Sequence, residues 1–253
     1  MSDFEGLVAE AEAAPINGWD FSWLEGRAWE ERPPWGYARM VTARIATADA
    51  ALDIQTGGGE VFAEVLQRAS ARPRTLAATE SWPPNVEEAT RRLAPLAVTV
   101  IEVADEAPLP FAAESFDLVV SRHPVRTVWD EVARVIRPGG TYLSQQVGPG
   151  TNRELTEFFL GRQPVSDSRS PQRARDLAEA AGLTVLDLRE VQLRTVFHDV
   201  GAVIYFLRMV IWTVPDFSVA RYRDRLADLH RRMTTSGPFV AHAQRFLIEA
   251  YKP

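Results

Sequence analysis

The stretch "ALDIQTGGGEVF", residues 51–62, decides how the chain reads. Ala51, Leu52 and Ile54 have the character of a buried strand, and the acidic Asp53 stands near its end. Three consecutive glycines then lead into Glu60 and a pattern of helical period. Glycines after a first strand let backbone approach a ligand closely, and the next helix offers free N–H groups and the positive end of its dipole. The dinucleotide fingerprint G-x-G-x-x-G is not met. Counted from Gly57, the next glycine is Gly59 and the third position holds Phe62. A nicotinamide or flavin reading is therefore weak, and the turn suits another nucleotide-like ligand.

The pattern alternates on the C-terminal side. A helix is expected over about 59–71, followed by a strand at 74–80 and a helix in "PPNVEEATRRLAPL", whose prolines suit a first helical turn. Further strands are expected at 97–104 and 115–123, then a helix in "VWDEVARVIRPGG" stopped by Pro138-Gly139-Gly140, and a fifth strand at 141–148. Strands alternating with helices imply a parallel sheet with right-handed crossovers. Beyond Gly148 the expected elements are helices near 152–161 and 171–181, a long strand at 183–197, helices at about 199–213 and 218–234, and a closing strand in "AQRFLIEAYKP". Ahead of the sheet lie a short helix (4–14), an irregular segment with four of the seven tryptophans (Trp19, Trp23, Trp29, Trp35), and a helix at 36–47.

Composition narrows the classes. The 253 residues are 46% hydrophobic and 25% charged, as in an ordinary globular enzyme. With no cysteine there is no disulfide, thiolate metal site or cysteine nucleophile. A net charge of −6, with Lys252 the only lysine, disfavours bulk electrostatic binding of nucleic acid. The acidic start "MSDFEGLVAEAEAAP" is unlike a signal peptide. The longest apolar run (200–214) is too short to span a bilayer and carries Arg208. A cytoplasmic protein without membrane association, monomeric or homodimeric, is the expectation.

Several features downstream agree with one another. Glu80 ends the second strand about 20 residues past the turn, where an acid can accept hydrogen bonds from both hydroxyls of a ribose. The later runs "ADEAPLPF", "SFDLVVSRH" and "ARVIRPGG" follow in order. With the glycine turn, they resemble the class I S-adenosylmethionine-dependent methyltransferases of the small-molecule branch, strongly over residues 45–147 and loosely elsewhere. The resemblance implies a Rossmann-like α/β fold in a single domain. Its mostly parallel seven-stranded sheet would have strand order 3-2-1-4-5-7-6 and an antiparallel last strand. An N-terminal helical and aromatic lid (1–48), a cofactor-binding core (49–148) and a C-terminal half (149–253) with a helical cap (198–236) would complete it.

It also implies the site. Asp53, Gln55, Thr56, Gly57 and Gly59 would border the methionine part of S-adenosylmethionine, with S-adenosylhomocysteine as the product. Glu80 would hold the ribose, Ser81 and Trp82 would lie against the adenine, and Asp105 beside Glu106 would meet its amino group. Ser121, Arg122 and His123 would lie next to the methyl donor. Gln55 departs from the family turn, since it takes the place of a first glycine. It could crowd the cofactor, turn aside at negative φ, or make a hydrogen bond of its own.

Methyl transfer from a sulfonium is an in-line displacement driven by proximity, and it needs no metal. His123 is the candidate base for an acceptor of high pKa, or else a histidine bonded to a loop carbonyl. Trp19, Phe21, Trp23, Trp35, Tyr37 and His198 are candidates for the wall, and Tyr205, Phe206, Met209 and Trp212 for the roof, of a partly hydrophobic acceptor site, with plain core packing as the alternative. Two other readings are an RNA-base methyltransferase and a non-catalytic S-adenosylmethionine-binding protein. The first lacks the usual marks, because "SRHPV" follows the fourth strand.

Overall fold

The computed structural model describes residues 3–16 and 18–253. In chain order the elements are α1 (Phe4–Ala13), β1 (Ala28–Glu30), α2 (Tyr37–Ile45), β2 (Ala50–Ile54), α3 (Glu60–Arg68), β3 (Thr75–Glu80), α4 (Pro83–Leu93), β4 (Thr99–Glu102) and β5 (Phe116–Arg122). They continue as α5 (Trp129–Val135), β6 (Ile136–Val147), α6 (Arg153–Leu160), α7 (Pro171–Ala180), β7 (Thr184–Phe197), α8 (Val200–Met209), α9 (Val219–Ser236) and β8 (Phe239–Tyr251).

Local chemistry accounts for many boundaries. Prolines open α4 and α7, where a missing N–H costs nothing. The side chains of Ser170, Asp199 and Ser218 accept N–H bonds at the starts of α7, α8 and α9. α5 ends at Val135, ahead of the expected Pro138-Gly139-Gly140 stop, and that run lies inside β6, which starts at Ile136. Gly139 takes φ +82° there. A Cβ on Gly140 would stand 3.0 Å from the carbonyl oxygens of Arg137 and Asp117, so only glycine fits the bend. The apolar run 200–214 is helical only to Met209, and Ile211 and Trp212 beyond it are exposed. No helix of the described residues is long and apolar enough to cross a membrane.

The sheet is mostly parallel, as expected, but it has eight strands instead of seven, in the order β1-β7-β8-β6-β5-β2-β3-β4. The added strand is β1, from the segment expected to be irregular. It pairs antiparallel with the end of β7, Ala28 opposite Phe197. Three residues are too few to show an alternating pattern, so only the partner edge makes this a strand. Parallel pairings join β2 to β3, β2 to β5, β3 to β4 and β5 to β6, whereas β8 runs antiparallel to β6.

The chain divides into two compact units. One comprises residues 33–149, 167–191 and 245–253, and the other residues 1–32, 150–166 and 192–244. In the first unit both faces of the parallel strands are covered. Ala51, Leu118 and Val120 face a core with α2, α3 and α4, while Ala50, Leu52 and Val119 face one with α5 and α7. Strands buried on both sides read as continuous apolar runs, which is why β2 and β5 were legible. The second unit has its own core, built from Leu7, Phe159, Val203, Tyr205, Leu226 and neighbours on α1, α6, α8 and α9.

Candidate functional site

The strand ends of the first unit gather the candidate groups. β2 delivers Asp53, 7% exposed, whose Oδ2 accepts the Thr56 hydroxyl at 2.6 Å. Burial raises its carboxyl pKa to about 7, against the lowering effect of the Thr56 bond; Glu80 raises it further and Arg122 lowers it. After Gln55 and Thr56 the chain turns through Gly57 at φ +65° and Gly59 at φ +77°. A Cβ on Gly59 would lie 2.9 Å from Leu93, so α4 closes on the turn as only glycine permits. Glu80, at the end of β3, is buried and fixes this turn. One carboxylate oxygen accepts the Gly57 N–H at 2.8 Å, and the other accepts those of Ser81 and Trp82, both at 3.0 Å.

Gln55 takes the left-handed backbone of the glycine it replaces, with φ +56°, instead of the negative φ that would turn it aside. Its amide makes two hydrogen bonds to the loop after β5. Nε2 donates to the Arg126 carbonyl at 2.8 Å, and Oε1 accepts the Val125 N–H at 2.6 Å. Arg126 in turn forms an ion pair with Glu106. Asp105, next to Glu106, has a buried Oδ1 without a hydrogen-bond partner among the described residues. It lines a cavity of about 20 Å³ with Gln55, Thr79, Pro124, Arg126 and Val128. That is room for roughly one water molecule.

The end of β5 carries Ser121, Arg122 and His123. Ser121 is fully buried. Its hydroxyl bonds those of Tyr142 and Ser144 at 2.8 and 2.9 Å, and its carbonyl accepts the buried Tyr37 hydroxyl at 2.9 Å. Burial raises the pKa of Tyr37 well above, and that of Tyr142 above, the usual phenol value. Arg122 is exposed, without a hydrogen-bond or ion-pair partner among the described residues, and its charge acts on Asp53, Tyr37 and His123.

His123 sits at φ +57°, its N–H held by the Gln145 carbonyl at 2.7 Å. A side-chain relay sets its tautomer. The Trp35 indole, which can only donate, gives its Nε1–H to Gln145 Oε1 at 2.8 Å. The Gln145 amide nitrogen must then donate to His123 Nε2, 2.9 Å away. Nε2 is thus an occupied acceptor, and the ring proton resides on Nδ1, for which no partner exists among the described residues. Burial first, then the charges of Arg122 and Arg245, hold the imidazole pKa well below its usual value. A neutral ring of low basicity with its lone pair engaged does not suit the expected role of base. The expected bond to a loop carbonyl by the ring is also not made.

Trp35 was expected only as part of a substrate wall, and Gln145 was missed as a site residue. The only signal for Gln145 was polarity, a glutamine pair within the apolar "TYLSQQVG" strand. Beside Trp35, with Pro34, Arg189 and Glu190, the surface holds a trough of about 260 Å³.

The remaining acceptor-site candidates lie in the second unit. Trp19, 37% exposed, stacks on Phe21 and meets Trp212 edge-on at 5.5 Å between ring centres. Trp23 stacks on Tyr205 at 4.8 Å, under the Arg27 guanidinium. The Tyr205 hydroxyl donates to the carbonyls of Asp20 and Pro15, and Met209 is buried in the core. His198 is exposed, its backbone N–H bonded to the Arg27 carbonyl. This unit therefore brings Trp23 together with Tyr205, and each of Tyr205, Met209 and Trp23 packs as core.

Residues 52–144 match the family model described as a methyltransferase domain. A malonyl-[acyl-carrier protein] O-methyltransferase of Marinomonas sp. is 25% identical over 216 residues, 79% of each chain. A candidate methyltransferase from Bacillus halodurans C-125 superposes with a TM-score of 0.60 at 15% identity, covering 85% of this chain and 98% of its own. Geranyl diphosphate C-methyltransferase from Streptomyces coelicolor A3(2), solved with S-adenosyl-L-homocysteine, is similar at a TM-score of 0.52 and 12% identity, covering 85% and 78%.

Proposed function

We propose that the chain is a class I S-adenosylmethionine-dependent methyltransferase that methylates a small-molecule acceptor, with Glu80 and Asp105 as its nucleoside-binding acids. The observation that carries this is the pair of carboxylates at adjacent strand ends. Glu80 is locked to the glycine turn, and Asp105 keeps a buried oxygen without a partner, as an exocyclic amino group would require. Bound S-adenosylmethionine supplies a methyl group activated by its sulfonium. Asp53 and the turn at Gly57 and Gly59 border the methionine end, and Ser81 and Trp82 border the base.

The protein's contribution is position. Holding an acceptor atom in line with the methyl group removes most of the entropic barrier, and the surrounding groups exclude water. The pocket at Asp105 is bounded on one side by the loop from Pro124 to Val128. Gln55 is then a contact that keeps this loop in place, and its substitution for glycine does not mark a dead site.

Calorimetry with S-adenosylmethionine and S-adenosylhomocysteine tests the reading directly. Binding of both is expected. No heat at millimolar ligand, with the protein folded, overturns it.

A further inference from the structure

Given the methyltransferase reading, on which this step rests, the structure assigns the acceptor a chemical class. We infer that the methylated group is a carboxylate, held by the Arg122 guanidinium and by the Nδ1–H of His123. Two observations converge. The first is that no base beside the end of β5 is left for the acceptor, Asp105 being taken by the nucleoside in the proposed site. Nε2 of His123 is occupied by the Gln145 amide, whose orientation the Trp35 indole dictates. Glu80 accepts three backbone N–H bonds, Asp53 holds the Thr56 hydroxyl, and Glu106 is paired with Arg126. The Tyr37 hydroxyl donates to the Ser121 carbonyl. Alcohols, phenols and carbon acids need a proton removed as they react, whereas a carboxylate arrives already nucleophilic.

The second observation is the sign of what is left over. Arg122 projects from the strand end with no partner among the described residues, and its charge and that of Arg245 both act on the His123 ring. The Nδ1–H of that ring has no acceptor among the described residues. A guanidinium and a neutral imidazole N–H make a donor set for an anion with two oxygens. In the reaction a carboxylate oxygen lone pair forms the O–CH₃ bond as the C–S⁺ bond breaks. The bonding electrons return to sulfur, and the products are a methyl ester and neutral thioether. No proton moves, so the lack of a base costs nothing.

The test pairs acids with their neutral analogues. The full-length protein is incubated with S-adenosylmethionine and a panel of aliphatic, dicarboxylic and aromatic acids, each beside the matched alcohol or phenol, and products are read by mass and by lability to alkali. Ester formation from an acid, with none of the matched hydroxyl compounds methylated, is expected. Methylation of hydroxyl or carbon acceptors, or no acid turned over, overturns the carboxylate assignment. Cofactor calorimetry separates the two levels. Binding of S-adenosylhomocysteine without acid turnover removes this inference alone, while absence of binding removes the methyltransferase reading itself.

Two variants add readouts beyond turnover. Arg122→Gln should raise KM for the acid by about tenfold or more and weaken acid binding to the S-adenosylhomocysteine complex in proportion. Its melting temperature, a check on folding, should stay close to that of the wild type; unchanged acid binding refutes the role. His123→Asn keeps an N–H donor on a residue that tolerates positive φ, so KM should carry most of its effect. A kcat loss of roughly a hundredfold or more at constant KM would identify His123 as a base and refute the assignment.

Discussion

At the scale of single residues, Asp53 ties the site to stability. Its carboxyl titrates near 7 in the fold and at 3.8 as a free side chain, mainly because it is buried. Between those values the folded protein holds a proton that the unfolded chain has lost, so stability falls as pH rises. At about 1.4 kcal/mol per pKa unit, the loss by neutral pH is on the order of 4 kcal/mol. Asp53→Asn keeps an oxygen for the Thr56 hydroxyl and should flatten this slope. Its melting temperature at pH 8 should exceed that of the wild type, and an unchanged pH dependence of melting would show that Asp53 does not carry the effect. Glu80 makes the opposite kind of contribution. Glu80→Ala strands the N–H groups of Gly57, Ser81 and Trp82 and removes the proposed ribose acceptor, so cofactor affinity should drop by about a hundredfold or more. Glu80→Gln keeps one acceptor oxygen and should lose less in the same titration.

At the scale of elements, the turn after β2 and the loop after β5 act together through Gln55. Two hydrogen bonds from one amide, with the Arg126–Glu106 ion pair beside them, hold the loop against the Asp105 cavity. The left-handed backbone at Gln55 costs about 1 kcal/mol that a glycine would not incur. Gln55→Gly and Gln55→Ala should therefore both speed amide hydrogen exchange over residues 123–128, since each removes the latch. Only the alanine variant keeps the strained φ, so it should melt at the lower temperature of the two. Equal exchange in wild type and variants would show that the loop is held by something else. The same pairing explains why Gln55 was ambiguous in the sequence. The glycine pattern marked it as a departure, but its partners lie 70 and 71 positions away.

At the scale of the whole molecule, the acids proposed to bind the nucleoside, the glycine turn and the His123 relay all belong to one compact unit, which has a core on each face of its sheet. A ligand bound there stabilises the native state by mass action. S-adenosylhomocysteine at about a hundred times its Kd should add roughly 2.7 kcal/mol, read as a rise in melting temperature. The rise should vanish in Glu80→Ala at the same concentration. A shift that survives in that variant would place the ligand elsewhere. The other unit has a separate helical core, and there Tyr205 and Met209 are committed to packing, with the Tyr205 hydroxyl bonded to two carbonyls.

The sequence by itself determined the α/β class, a mostly parallel sheet, the glycine turn and the positions of the acids Asp53, Glu80 and Asp105. These are legible because each depends on local order: buried strands are apolar runs, glycines mark positive φ, and an acid at a strand end follows its strand. Tertiary structure alone decided the rest. The strand β1 exists only because β7 offers an edge to Ala28–Glu30. The state of His123 depends on Trp35, whose indole fixes a glutamine 110 residues further along the chain. Hydrogen-bond direction is a property of atoms that meet in space, and no spacing along the chain records which of two ring nitrogens will find a donor.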